Sequence, residues 1–290
     1  MILLVVTGVG LGALYFLAAS GLSLIYGLMG VLNFAHGAFM VAGAYAGWLT
    51  MRGLPASLSV GTRLAVAMAA AVVVGAAIGL VVEVALIRPL YRHHIQQVLV
   101  TVGLSLAAVA AVQGVWGSDA HPLEKPAWLA STTEVAGAHL PHDRFLFIAA
   151  AGLLFVGLKA LLRFTRLGLV IRAGVENRTM VEALGINVQR TFSVVFSIGG
   201  AAAGLAGLLG GVYANSVFPG QGGALLIFAF IVVVIGGMGS LTGTAVAAVA
   251  VGLVQQLANY YAASGVGDLS VVLLLAVVLL LRPATMQGAH

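Results

Sequence analysis

Long apolar runs alternate with short polar turns along almost the whole chain. The runs lie near residues 2–28, 31–51, 64–87, 95–117, 145–162, 192–214, 223–239, 243–262 and 268–281. A helix needs about 20 largely apolar residues to cross the hydrocarbon core of a bilayer. From Thr191 to Gly267, where three of these runs fall, there is no Asp, Glu, Lys or Arg. The pattern predicts an all-α, polytopic membrane helix bundle with about 8–10 transmembrane helices.

The least regular part of the pattern is the N-terminal stretch. Residues 1–51 fit either two spans or one span followed by a broken helix, and the last run, 268–281, is short. No linker long enough to separate two cores interrupts the chain. We therefore expect residues 1–290 to form a single transmembrane domain.

Composition agrees with a membrane protein. Hydrophobic residues make up 61% of the chain and charged residues 7%, whereas about a quarter of the residues in a soluble domain are charged. The sequence contains 39 glycines and no cysteine, which excludes disulfides and thiolate metal sites. Glycines four residues apart, such as Gly75 with Gly79 and Gly200 with Gly204, share a helix face. They predict close helix packing inside the bundle.

The loop charges predict which loops lie on which side of the membrane. Basic residues concentrate in 88–94 and 163–190, so we expect both segments to be cytoplasmic. Residues 118–144 carry acids and prolines and are predicted to form an external loop. Nine spans then place the N-terminus outside, although Arg52 and Arg63 in an outer loop are against the rule. The net charge of +5 is explained by these loops, and we expect no binding of nucleic acid.

The most polar insertion in the first 51 residues is Asn33-Phe34-Ala35-His36-Gly37. Polar groups at membrane depth usually face protein or water, so Asn33, His36 and Gly37 are candidates for the translocation path. Alternatively, Asn33 caps a restarted helix and His36 bonds to a neighbouring backbone carbonyl. No second metal ligand lies at suitable spacing from His36, so we predict no metal site.

Two further polar features interrupt the apolar runs. Gln255 and Asn259 belong to a cluster near the predicted outer end of a span, where they either join helices by hydrogen bonds or line the path. Glu83 is the acidic residue inside an apolar run, about one turn from Arg88. We expect Glu83 to reach the membrane interface or to pair locally.

A weak internal repeat links the two halves of the chain. Residues 27–32, Gly-Leu-Met-Gly-Val-Leu, resemble residues 236–241, Gly-Gly-Met-Gly-Ser-Leu, and each lies between two apolar runs. Transporters often contain such structural repeats, although chance also explains the match in a glycine-rich chain.

Residues 172–187 predict a short helix outside the membrane. Asn177 fits an N-cap and Gly185 fits the left-handed residue after a helix C-terminus. A helix of about eight residues spans about 12 Å, which is too short to cross a bilayer. We therefore expect it to lie along the membrane surface, either as a docking element or as an amphipathic connector.

These segments together resemble the permeases of branched-chain amino-acid ABC transporters. Two types of permease pair in those systems, and the chain is similar to the shorter type. The resemblance rests on 172–193 with Gly199–Gly207, on 22–27 running into 33–37, and on 236–241, and it covers nearly the whole chain. It implies an ABC type II importer-like permease, multi-pass in the lipid of the cell inner membrane. The implied partners are a second homologous permease, two cytoplasmic ATPases and a periplasmic or extracellular solute-binding protein. It also implies a coupling helix that docks on an ATPase through Arg178, Glu182, Ala183, Gly185 and Ile186.

The expected function is therefore ATP-driven import of branched-chain amino acids. The chain lacks a G-x-x-x-x-G-K-[ST] loop, so ATP hydrolysis is assigned to separate subunits. We expect no catalytic residues and no cofactor. Urea, amide and sugar ABC permeases share much of the pattern and remain alternatives. An ion-coupled secondary transporter is a weaker alternative because only Glu83 and His36 are ionisable candidates at membrane depth.

Overall fold

The computed structural model describes residues 1–30, 32–91, 93–135, 137–176, 180–181, 185, 187–263 and 265–281. Helices dominate these residues: α1 (Ile2–Met29), α2 (His36–Gly53), α3 (Val60–Val82), α4 (His94–Trp116), α5 (Ala127–Ala130), α6 (His142–Phe164), α7 (Arg166–Glu176), α8 (Val188–Ala214), α9 (Gln221–Gly236), α10 (Leu241–Tyr261) and α11 (Val266–Leu281). The strands are β1 (His121–Pro122), β2 (Thr132–Val135), β3 (Ala138–Pro141) and β4 (Ser216–Val217). The prediction of an all-α polytopic bundle is confirmed.

Each predicted apolar run corresponds to one long helix. Among the described residues, six helices are long and apolar enough to cross a membrane: α1, α3 with its extension to Leu90, α4, α6, α8 and α10. Helices α9 and α11 have 16 residues each, or about 24 Å of axial length. Helix α2 has 18 residues. The described lengths of these three shorter helices are therefore less than the thickness of the hydrocarbon core, which is about 30 Å.

The run predicted at 31–51 begins too early. Helix α1 ends at Gly30, which has φ 67°, and α2 begins at His36. Between them the Asn33 side chain accepts a hydrogen bond from the backbone N–H of Ala35, a local turn that competes with helix. Two separate helices are thus correct. The alternative in which Asn33 caps the restarted helix is wrong, because Ala35 holds the N-cap position without a side-chain hydrogen bond.

Helices α1 and α8 form the centre of the bundle. Most residues of both are buried; α1 packs on α6, α8, α9 and α10, while α8 packs on α2 and α3. A Cβ at Gly200 would collide with the carbonyl oxygen of Gly75, and one at Gly75 with that of Gly200. The prediction of internal packing through these glycines is confirmed.

The helices join at two ends, which we call the loop end and the basic end. The loop end comprises residue 1 and the connecting segments 54–59, 117–135, 137–141, 215–220 and 262–263. Here β1 pairs with β4, β2 pairs with β3, and Tyr261 Oη contacts Met1 Sδ at 3.6 Å. The basic end comprises turns 32–35, 83–91, 165, 180–181 and 237–240, where Gly27 and Gly239 approach each other closely. The two halves of the weak repeat therefore meet at the basic end.

The two arginines that disagreed with the charge rule have partners at the loop end. Arg63 Nη1 lies 3.2 Å from Glu124 Oε2, and its Nε donates to the carbonyl oxygen of Met51 at 2.9 Å. The Arg52 guanidinium lies 4.9 Å from the ring centroid of Trp48. Acidic, carbonyl and aromatic groups on the same end thus compensate these charges.

The segment at 163–190 contains a helix that the sequence pattern missed. Helix α7 covers Arg166–Glu176, so Arg172 belongs to it rather than to a connection. Thr165 explains the start of α7, because its hydroxyl accepts from the N–H of Gly168 at 3.0 Å, as an N-cap does. The predicted cap at Asn177 lies outside the described residues.

Candidate translocation site

His36 and Gly37 lie where α2 packs on its neighbours. His36 is fully buried, and its Nε2 lies 3.0 Å from the carbonyl oxygen of Ala18 in α1. A Cβ at Gly37 would lie 3.1 Å from the carbonyl oxygen of Gly222 in α9. The contact of His36 matches the alternative in which its ring bonds to a neighbouring backbone carbonyl, and Gly37 lies at a close contact between α2 and α9.

Asn33 borders a cavity too small for a solute. Its side chain is buried, and its Nδ2 has no hydrogen-bond partner among the described residues. The cavity beside it measures about 10 Å³ and is also lined by Gln97 and Thr101. That volume is about the minimum for one water molecule. Asn33 therefore faces space for water in this conformation.

Gln255 and Asn259 hold helices together near the loop end. The Tyr15 hydroxyl donates to Gln255 Oε1 at 2.6 Å, and Gln255 Nε2 donates to Asp268 at 2.7 Å. Asn259 Oδ1 accepts from the N–H groups of Gly265, just before α11, and Gly267, in its first turn. The interhelical role predicted for Gln255 is confirmed. Gln255 and His36 both contact the middle of α1, at positions about 4.5 Å apart along its axis.

An apolar groove opens between α1, α8 and α9. Its volume is about 170 Å³. Its lining residues are Leu11, Leu14, Tyr15, Gly210, Tyr213, Ala214, Phe218, Gln221, Ala224, Leu225 and Phe228. Tyr15 and Phe228 stack with ring centroids 4.8 Å apart and form one wall. The groove thus joins three helices from both halves of the chain.

The polar groups of the groove are largely engaged by the protein itself. Gln221 Nε2 donates to the carbonyl oxygen of Gly207 at 3.0 Å, and its Oε1 accepts from the N–H of Phe218 at 3.2 Å. The Tyr15 hydroxyl is bonded to Gln255. A group that enters the groove therefore meets mainly hydrocarbon, which suits an apolar side chain.

A larger and more polar cavity lies at the loop end. It measures about 390 Å³ and is lined by Trp48, Met51, Arg52, Arg63, His121, Pro122, Leu123 and Glu124. Trp48 and His121 stack with centroids 4.5 Å apart. Charges of both signs line this cavity, in contrast to the apolar groove.

Sequence reasoning missed Tyr15 and Asp268. Tyr15 is a hydroxyl-bearing side chain in the middle of an apolar helix, and its bonding to Gln255 could not be read without the fold. Asp268 follows a stretch without charges that begins at Thr191. That isolation was a usable signal, because a lone acid beside an apolar run usually has a partner.

The predicted ATPase contacts are described at one position. Gly185 has φ 77°, so the left-handed conformation predicted for it is confirmed. Arg178, Glu182, Ala183 and Ile186 lie outside the described residues. Val181 is buried in the core cluster, whereas Met180 is 64% exposed. Val181 therefore packs into the bundle at the basic end.

A bundle of apolar helices with a groove between its central members has the architecture of a polytopic membrane permease. The chain belongs to the family described as branched-chain amino acid transport system, permease component, whose family model matches residues 4–281. The family resemblance drawn from the sequence is thereby confirmed.

Curated relatives match over nearly their full length. The high-affinity branched-chain amino acid transport system permease protein LivH of Salmonella typhimurium is 28% identical over 290 residues, which covers 97% of this chain and 93% of the relative. LivH of Escherichia coli K12 is 29% identical, with the same coverage of both chains. The permease BraD of Pseudomonas aeruginosa is 29% identical and covers 98% of this chain and 94% of its own. No solved structure matches the chain.

Proposed function

We propose that this chain is the permease subunit of an ATP-driven importer that moves branched-chain amino acids across the cell inner membrane. The observation that carries the proposal is the family match, which runs through all the long helices from α1 to α11. The relatives are named for branched-chain amino acid transport, and their similarity extends over the whole bundle.

The apolar groove supports this substrate class. Because the amides and hydroxyls of Gln221 and Tyr15 are bonded within the protein, the groove offers few free groups to a sugar or to urea. A sugar or urea in the groove would leave its own hydrogen-bonding groups unpaired, and the cost of removing them from water would disfavour its binding. We take the groove as part of the translocation path, with Gln255 acting on it through Tyr15. The contacts of Asn33, His36, Gly37 and Asn259 favour packing and capping. That these residues lie on the path stays a prediction.

The charges at the two ends support a sidedness. The described basic residues at the basic end include Arg88, Lys159, Arg163, Arg166, Arg172 and Arg190. At the loop end, Arg63 and Lys125 have carboxylate partners within 3.4 Å. Excess positive charge marks the cytoplasmic side. We therefore propose that the basic end, with segment 163–190, is cytoplasmic and that the loop end, with 118–144, is external.

Segment 177–187 is proposed to couple the permease to an ATPase. Of its described residues, Val181 is buried in the core at the basic end and Met180 is exposed. Gly185, two residues before the N-cap of α8, is left-handed, and that N-cap, Asn187, accepts from the N–H of Arg190. A short element held in this way can fit a groove on a partner. A second permease and an external solute-binding protein complete the proposed assembly.

Co-purification from native membranes tests the importer assignment. We expect a tagged copy of this chain to retain an ATPase and a second permease, and nucleotide hydrolysis by that complex to rise when a loaded solute-binding protein is added. Purification of the chain without an ATPase, together with solute movement driven by an ion gradient alone, would instead identify a secondary carrier.

A further inference from the structure

Glu83 is a carboxylate buried inside the membrane protein. Its exposed fraction is 0%, and it lies where α3 ends near the basic end. A buried carboxylate is stable only with hydrogen-bond donors or a cation around it. The residues that supply these donors come from two separate parts of the chain.

The first donors follow Glu83 on its own element. Arg88 Nη2 lies 3.2 Å from Glu83 Oε2, and the Tyr91 hydroxyl donates to Glu83 Oε1. Burial is the main cause that raises the pKa of Tyr91 above its usual range, and the hydrogen bond to Glu83 is the second. The hydroxyl therefore keeps its proton and remains a donor. The local pairing predicted for Glu83 and Arg88 is confirmed.

The remaining donor comes from α8, far away in sequence. The Ser193 hydroxyl donates to Glu83 Oε2 at 2.6 Å and accepts from Arg88 Nη2 at 2.7 Å. Ser193 lies in the second turn of α8, six residues after the N-cap Asn187. The carboxylate therefore joins the end of α3 to the part of α8 that follows segment 177–187.

The backbone around Glu83 departs from regular α-helix. A π-helical turn covers Glu83–Ile87, and a 3₁₀ turn covers Arg88–Leu90. Such irregular turns inside helices often occur at functional sites. Here the two turns place Arg88 and Tyr91 close enough to Glu83 for both side chains to donate hydrogen bonds to its carboxylate.

Helices α3 and α8 are also packed tightly over their length. The backbones of Gly75 and Gly200 lie in direct contact, with no room for a side chain between them. The Ser197 hydroxyl donates to the carbonyl oxygen of Ala76 at 3.2 Å. Two helices with such close backbone contact move most easily as one body. The Glu83 cluster fastens this body at the end where α8 begins.

We propose that Glu83 is a positioning residue that fastens the first turns of α8 to the end of α3, so that a displacement of segment 177–187 moves both helices together. The inference rests on the proposed function, because it takes that segment as the ATPase contact. A displacement of α8 alone would remove the Ser193 donor from a buried charge. The bundle therefore resists that movement and transmits the displacement to α3.

The test measures how much leucine is moved for each ATP hydrolysed by the reconstituted complex. Ser193→Ala removes the α8 donor and leaves the Glu83–Arg88 pair intact, while Glu83→Gln keeps the shape and removes the charge. Ser197→Ala is the matched control, because it deletes a hydroxyl that joins α8 to α3 one turn further along without touching Glu83. Ser193→Thr is a second control, because threonine keeps a hydroxyl at this position.

We expect Ser193→Ala and Glu83→Gln to lower leucine moved per ATP by about tenfold, the size of a typical coupling free energy, with ATPase retention unchanged. Ser197→Ala and Ser193→Thr should stay near wild type. If Glu83→Gln does not assemble, Ser193→Ala decides alone. A wild-type ratio in Ser193→Ala, or an equal loss in Ser197→Ala, overturns the inference while the proposed function stands. If the wild-type complex itself takes up no leucine, both fall.

Discussion

At the scale of single residues, the absence of a side chain decides how closely α3 and α8 pack. Gly200→Ala places a methyl group against the carbonyl oxygen of Gly75, with backbone on both sides and no flexible group to move. Overpacking of this kind destabilises a protein by about 1–3 kcal/mol. We expect a lower melting temperature for purified Gly200→Ala than for wild type.

The control for this prediction is a glycine on an outward-facing helix. A Cβ at Gly103 in α4 meets no described atom within 4 Å, so Gly103→Ala should leave the melting temperature unchanged or raise it slightly. Equal melting temperatures for the two variants would contradict the close contact between α3 and α8.

The groove makes a second prediction at this scale. Ala224 lines the groove from α9 and is exposed, so a tryptophan there fills the space without disturbing the core. Ala224→Trp should abolish leucine uptake while the complex assembles normally. Ile227→Trp is the control, since Ile227 is on the same helix, 59% exposed and outside the groove lining. Uptake by Ala224→Trp at the level of Ile227→Trp would exclude the groove from the path.

The site was only partly predictable because polarity in a sequence does not reveal a partner. His36 was correctly selected as unusual, but the carbonyl oxygen of Ala18 that it contacts is eighteen residues away. Gln255 was selected as an interhelical residue, and its partner Tyr15 is separated from it by most of the chain. The groove itself consists of apolar residues, which no sequence pattern distinguishes from the rest of the bundle.

At the scale of elements, the connection before α8 depends on a left-handed residue. Gly185 has φ 77°, and its Cβ position has no described atom within 4 Å, so we expect backbone conformation to restrict substitution there. Valine in that conformation costs roughly 1–2 kcal/mol, whereas asparagine adopts it more readily. Gly185→Val should lower both leucine uptake and ATPase retention.

Asparagine supplies the control for the connection. Gly185→Asn should transport close to wild type, and the permease should insert in the membrane at normal levels in both variants. Glu182→Lys, in the same segment, should also weaken ATPase retention if the segment is the docking element. Full uptake with a normally bound ATPase in Gly185→Val and Glu182→Lys would remove segment 177–187 from coupling.

The long helices were predictable because each one corresponds to a continuous apolar run, either buried in the bundle or exposed on its outer surface. Elements that depend on single contacts were not. Helix α7 begins at the Thr165 cap, and the start of α2 is delayed by the Asn33 turn. Strand β1 forms only because β4, almost a hundred residues later, lies beside it. Local hydrophobic pattern contains no information about such distant pairs.

At the scale of the whole molecule, the two ends differ in how their charges are compensated. The absence of cysteine allows single cysteines to report the side of each end. Glu134 at the loop end and Arg172 at the basic end are both exposed. An impermeant thiol reagent applied to intact cells should label Glu134→Cys and not Arg172→Cys. The reverse labelling would contradict the proposed sidedness.

Transport by the complete assembly tests the central claim most directly. The measurement is uptake of labelled leucine into proteoliposomes that contain both permeases and the ATPases, with ATP inside and solute-binding protein outside. Leucine should accumulate only with ATP, and unlabelled isoleucine and valine should compete while urea and ribose do not. Accumulation that needs an ion gradient and no ATP, or competition by urea or ribose but not by isoleucine, would contradict the assignment as a branched-chain amino-acid permease.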